Sequence, residues 1–115
     1  MTKEIKEISD LAVQSLIGIF RDKLDKIILF GSYSRGDYDE DSDVDIMVLV
    51  NDDSDKLKEY DDTITEMISE YCIQYGVLFS IVLKSKKHFD YYSGVLPFYQ
   101  NIVSEGSVLY GRQNK

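Results

Sequence analysis

Between Lys26 and Val50 the chain reads KIILF-GSYSRG-DYDEDSD-VDIMVLV, two apolar runs separated by a polar stretch. Lys26–Phe30 is short, apolar and stopped by Gly31-Ser32, which predicts a buried strand. Val44–Val50, closed by Asn51-Asp52-Asp53, predicts a second strand. Residues 33–43 are polar, carry Gly36 and contain no run that could form a core element. That connection is too short for a helical crossover, so the two strands are expected to pair antiparallel.

Upstream, Ile5, Ile8, Ala12, Leu16, Ile19, Phe20 and Leu24 recur at threes and fours, the apolar face of an amphipathic helix over 5–24. Downstream, Leu57, Tyr60, Ile64, Met67, Ile68, Tyr71 and Tyr75 repeat the pattern over 56–75, and Gly76 stands where a helix end favours a left-handed residue. Val77–Lys84 predicts a third strand. Pro97 suits a first helical turn, because its missing N–H needs no partner there, so a short helix is expected over 97–105. Val108-Leu109-Tyr110-Gly111 reads as a last strand or a docking tail. The order predicts an α/β (α+β) fold, a small mixed β-sheet covered by helices, in a single domain spanning 1–115.

A length of 115 residues leaves no room for a second core of ordinary size. With 43% hydrophobic and 30% charged residues the chain has the balance of a globular rather than a disordered protein. Its net charge of −8 argues against a general nucleic-acid or acidic-membrane binder, both of which need a basic face. A nucleotide remains compatible, since Mg²⁺ can stand between carboxylates and phosphate. No apolar run approaches the roughly 20 residues that span a bilayer, and Met1-Thr2-Lys3-Glu4 lacks a signal-peptide pattern. Cys72 is the single cysteine, so neither an intrachain disulfide nor a zinc knuckle is expected, and a reducing cytoplasm fits. A core this small would gain from a partner or from homo-oligomerisation.

The chemistry concentrates around the first two strands. A glycine ending a buried strand lets a ligand approach the backbone, and the following serine offers a hydroxyl in a turn able to aim N–H groups at an anion. Asp43 and Asp45 lie two apart at the start of a strand, so period two puts both carboxylates on one face, about 7 Å apart along it. That spacing suits a shared grip on divalent cations. Each component alone also describes an ordinary turn or a solvated strand end.

Together, Gly31-Ser32-Tyr33-Ser34-Arg35-Gly36, Ser42-Asp43-Val44-Asp45 and Ile46–Val50 resemble the minimal nucleotidyltransferases of the polymerase-beta-like superfamily, whose signature is Gly-Ser, ten residues, then Asp-x-Asp, with Arg-Gly inside the spacer. The match covers 31–50; the flanking order of elements and the ending from Pro97 to Gly111 extend it over most of the chain. The resemblance implies transfer of a nucleoside monophosphate, AMP from ATP or another NTP, to an acceptor hydroxyl with Mg²⁺ (or Mn²⁺). It implies that Gly31 and Ser32 hold the triphosphate and that Asp43 and Asp45 bind metal. Arg35 has two readings, a phosphate contact or an ion pair with surrounding acids. Small relatives are commonly encoded beside a HEPN-domain protein, which implies an antitoxin with that protein as partner and as acceptor.

One departure bears on activity. The resemblance implies a third carboxylate on a neighbouring strand, and the corresponding run here, Phe79-Ser80-Ile81-Val82, puts Ser80 in its place. A neutral hydroxyl is a poor substitute for a carboxylate ligand or base. The alternative to an enzyme is therefore a catalytically impaired module that neutralises its partner by binding. A free-standing aminoglycoside-modifying enzyme would need a dimer to build a drug pocket. Asp37, Asp39, Glu40 and Asp41 are expected to be a solvated loop, His88 and its neighbouring lysines to be surface residues, and Cys72 to pack in the core. Some of Tyr91, Tyr92, Tyr99 and Tyr110 are expected to face a partner.

Overall fold

A computed structural model describes residues 2–39 and 41–111. Helix α1 (Lys3–Phe20) opens with the Thr2 hydroxyl accepting the Ile5 N–H, leads through a 3₁₀ turn, and delivers the chain into β1 (Leu24–Phe30). A one-turn helix, α2 (Ser32–Arg35), and a loop precede β2 (Val44–Val50). Then follow α3 (Ser54–Leu57), a 3₁₀ turn, α4 (Asp61–Tyr75), β3 (Phe79–Ser85), α5 (Lys86–Tyr92), α6 (Pro97–Glu105) and β4 (Ser107–Gly111).

The four strands form one sheet in the order β3-β2-β1-β4. β1 is antiparallel to both β2 and β4, as its short connection to β2 requires, whereas β2 and β3 run parallel through the α3–α4 crossover. Both faces are covered, which is why β2 reads as an unbroken apolar run rather than an alternating one. On one face Leu24, Ile27, Leu29, Ile46, Val48 and Phe79 pack against Leu16 and Phe20 of α1 and Ile64 and Met67 of α4. On the other, Ile28, Met47 and Leu49 pack against Phe89 of α5 and Tyr99 and Ile102 of α6. Among the described residues no helix is long and apolar enough to cross a membrane.

Several local expectations need correction. The first helix ends at Phe20, where Arg21 adopts φ 53°, and Leu24 opens β1 as a fully buried core residue. The helix expected over 56–75 is divided by a 3₁₀ turn at Lys58–Tyr60, where the Tyr60 ring packs on Phe20 at 4.6 Å. The third strand begins at Phe79 rather than Val77. The run containing His88 forms α5, capped by Ser85. Cys72 is exposed, not core: the buried stripe of α4 follows Ile64 and Met67, with Ile68 and Tyr71 beside it, and the next position turns away about 100°. Tyr99 is buried at 2% exposure, while Tyr91 is largely exposed. His88 is half-buried, its Nδ1 3.0 Å from the Tyr99 hydroxyl. Glu40 lies outside the described residues.

Candidate active site

Strand register builds the site at one end of the sheet. Phe30 at the end of β1, Asp45 at the start of β2 and Ser80 at the start of β3 are direct cross-strand partners. Partners of this kind present their side chains to the same face, here the face that α6 covers. The third-strand alignment read from the sequence therefore holds: Ser80 stands beside Asp45.

Gly31 joins β1 to α2 with φ 74° and ψ −155°, backbone that only glycine adopts without strain. A Cβ added there would overlap the Asp45 carboxylate, so the glycine makes room for the acid as well as the turn. The Gly31 carbonyl accepts from the N–H groups of Ser34 and Arg35, both at 3.1 Å, and Gly36 closes α2 in the left-handed region. The polar spacer thus holds a helical turn that its lack of apolar residues conceals. Beyond it, the Asp39 carboxylate accepts from the Asp41 N–H at 2.9 Å, and the Asp39 N–H donates to Ser42 Oγ at 2.9 Å, which braces the acidic loop internally.

A cleft of about 370 Å³ lies against this corner, with Phe30, Gly31, Ser32, Arg35 and Asp45 on one side and Phe98, Asn101, Ile102 and Glu105 of α6 on the other. Of the residues singled out in the sequence, Gly31, Ser32, Arg35 and Asp45 come together there. Asp43 is exposed and outside the lining, although its charge acts on Asp45. Arg35 forms ion pairs with Asp37 at 3.3 Å and Glu105 at 3.6 Å. The sequence predicted the short helix that carries Phe98, Asn101, Ile102 and Glu105, but nothing in it showed which surface that helix would meet.

The Asp45 carboxyl is pushed above the usual carboxylate range, first by burial and then by Asp43, with Arg35 and a hydrogen bond from Ser80 opposing. The native state thus holds this proton more tightly than the unfolded chain, and stability falls as pH rises through the folded-state titration. Asp45→Asn removes that penalty, so the metal-free variant is expected to be at least as stable as wild type at pH 7, the advantage disappearing at a pH low enough to protonate Asp45. Urea unfolding at both pH values is the measurement; a loss above about 2 kcal/mol at pH 7 would make Asp45 a structural hydrogen-bonding residue instead.

The donor chemistry fits a hard divalent cation. Two carboxylates and the Ser80 hydroxyl offer oxygen donors, and the repulsion between Asp43 and Asp45 is what a cation would relieve. Among the described residues no cluster of three or more His, Cys, Asp or Glu is placed to hold a metal, so most of an octahedral shell would fall to phosphate and water.

Comparison with known proteins agrees with this geometry. The profile of the family described as "Nucleotidyltransferase domain" matches residues 13–111. Two proteins of Methanocaldococcus jannaschii are similar to the chain. "Putative protein adenylyltransferase MJ0141" is 45% identical over 83 residues, 72% of this chain and 82% of that protein. "Putative protein adenylyltransferase MJ0604" is 35% identical over 108 residues, 94% and 96% respectively. Among solved structures, a toxin–antitoxin crystallised with AMP-PNP aligns with TM-score 0.58 and 25% identity, covering 97% of this chain and 76% of that one. A mutant of the MntA-HpeT toxin–antitoxin aligns with TM-score 0.54 and 26% identity, covering 90% and 73%. With the family profile spanning all four strands and the Gly-Ser turn set against Asp45 at the sheet end, the chain belongs to the nucleotidyltransferase domain family.

Proposed function

We propose that the protein is a Mg²⁺-dependent nucleotidyltransferase that transfers AMP from ATP to a hydroxyl of a partner protein, a HEPN-type toxin for which it is the antitoxin. The observation that carries the reading is Gly31, held at φ 74° against the Asp45 carboxylate at the edge of the cleft. That arrangement brings a backbone turn fit for phosphate and an acid fit for a cation to one corner. The adenylyltransferase names of the relatives and the AMP-PNP in the similar toxin–antitoxin support ATP and a protein acceptor.

On this reading Gly31 and Ser32 hold the triphosphate, and Arg35 leaves Asp37 and Glu105 to neutralise it. Asp43 and Asp45 would hold Mg²⁺ (or Mn²⁺), which when bound supplies charge cancellation on the phosphates and on the leaving group. An acceptor oxygen attacks the α-phosphorus, its bond to pyrophosphate breaks, and the acceptor's proton leaves to solvent. Protein side chains contribute positioning and electrostatics rather than covalent chemistry. The test is transfer of label from α-labelled ATP to the partner. Labelling that requires both Mg²⁺ and the partner is expected; none over a range of divalent ions would exclude the enzyme.

A specific observation favours a second reading. Ser80 occupies the register position beside Asp45 where an acid would complete a three-carboxylate site, and its absence suits an antitoxin that acts by binding alone. Ser80→Asp separates the two. Without metal a third acid adds repulsion, so the variant is expected to unfold at a lower temperature than wild type. With Mg²⁺ the order should invert, because the stronger site stabilises the fold by mass action. If the protein is an impaired enzyme, label transfer should rise in parallel. A variant whose Tm gains no more from Mg²⁺ than wild type's would remove Ser80 from the metal site.

A further inference from the structure

We infer that the α6 wall of the cleft is a nucleobase subsite, in which Phe98 stacks on the base and Asn101 reads the amino edge of adenine; the inference rests on assigning the Gly31–Ser32 corner to the phosphates. The two walls differ in chemistry. The sheet-end side presents a glycine turn, a hydroxyl, a guanidinium and a carboxylate, whereas α6 presents a ring, an amide and an apolar side chain before Glu105 closes the row.

Phe98, Asn101, Ile102 and Glu105 stand at i, i+3, i+4 and i+7, so a single helical face delivers all four. Ile102 is buried and Phe98 is 43% exposed. The Phe98 ring is held in place by Phe30, edge-on at 5.6 Å and 81°, and by Tyr99 at 6.0 Å. An aromatic ring so braced, yet open to a cleft, gives a base a stacking surface at little entropic cost.

Asn101 is exposed, and no described residue engages its side-chain amide; its backbone carbonyl accepts from Ser104 Oγ at 3.2 Å. The free amide offers one donor and one acceptor, which match the N7 acceptor and N6 amino donor of adenine. Guanine presents two acceptors on the same edge, so the amide can satisfy only part of it. Arg35 pairs with Glu105 at the C-terminal end of the α6 row, and Phe98 stands about two turns away at its N-terminal end, so the row runs from charge to ring.

The test is equilibrium binding of ATP, GTP and inorganic tripolyphosphate, each with Mg²⁺, to the whole chain, as wild type, Phe98→Leu, Phe98→Tyr, Asn101→Ala and Asp45→Asn. Phe98→Leu is expected to weaken ATP about ten-fold while leaving tripolyphosphate unchanged, and Phe98→Tyr to retain affinity. Wild type should favour ATP over GTP by about ten-fold, and Asn101→Ala should level the two. Phe98→Leu binding ATP as wild type does, or an undiminished preference in Asn101→Ala, would overturn the subsite; a loss of both ATP and tripolyphosphate in Asp45→Asn would still uphold the phosphate corner. Undiminished binding of both ligands by Asp45→Asn would overturn the phosphate assignment, and the subsite with it.

Discussion

Asp45→Asn is expected to lower nucleotidyl transfer by about 10²–10³-fold, the scale on which loss of one preorganised transition-state contact is felt. Asparagine keeps the volume, the place in β2 and the capacity to accept from Ser80, so the change isolates charge. Asp45 is the half-buried acid of the pair, and it stands where Gly31 and Ser80 converge. Its removal should therefore cost more than that of exposed Asp43. Calorimetry with ATP, with and without Mg²⁺, provides the companion measurement: the Mg²⁺-dependent part of the affinity should disappear. Equal Mg²⁺-dependent affinity in variant and wild type would disprove the metal assignment.

Gly31→Ala is expected to cost about 2–4 kcal/mol of stability, lowering Tm by roughly 10 °C. Two penalties combine. The backbone at φ 74° and ψ −155° belongs to a region only glycine occupies freely, and the added methyl would overlap the Asp45 carboxylate. They can be separated: Asp45→Ala removes the overlap but not the strain. The double variant Gly31→Ala/Asp45→Ala should therefore recover part of the loss, a coupling that a double-mutant cycle in urea reads directly. Strict additivity would mean that the two residues do not meet.

The sheet was largely legible in the sequence because its central pair is written in continuous apolar runs. Val44–Val50 is buried on both faces, so no alternation competes with the strand reading, and the brevity of 33–43 dictated antiparallel pairing. Pro97 marked the start of α6 with a local signal. The misread boundaries lack such marks. Arg21 ends α1 in a conformation usually left to glycine, and its identity gives no warning. The Lys58–Tyr60 turn keeps helical spacing while tightening the helix. Lys86–Tyr92 carries one buried apolar residue, Phe89, so its helix is specified by the Ser85 cap and by packing rather than by periodicity.

The site divides along the same line. Gly31, Ser32, Arg35 and Asp45 are close in sequence and share a motif, and the register of three strands adds Ser80. The opposite wall comes from residues 98–105, more than fifty positions after Asp45. Its role depends on α6 crossing that end of the sheet, which no local pattern encodes.

That long-range dependence has a consequence for how the protein comes into being. The Ser34 hydroxyl donates to the Glu105 carbonyl and lies 3.1 Å from Ser107 Oγ, while Arg35 reaches the Glu105 carboxylate. These anchors are thus separated from Ser34 by 71 and 73 positions of chain. A ribosome-bound intermediate that has exposed β1, β2 and β3 already carries every residue of the Gly-Ser and Asp-x-Asp motif, yet lacks the contacts that tie α2 to the end of α6 and the start of β4. The motif is synthesised early and its brace late, so premature termination before Glu105 would leave a chain with the signature but without the contacts that tie down α2.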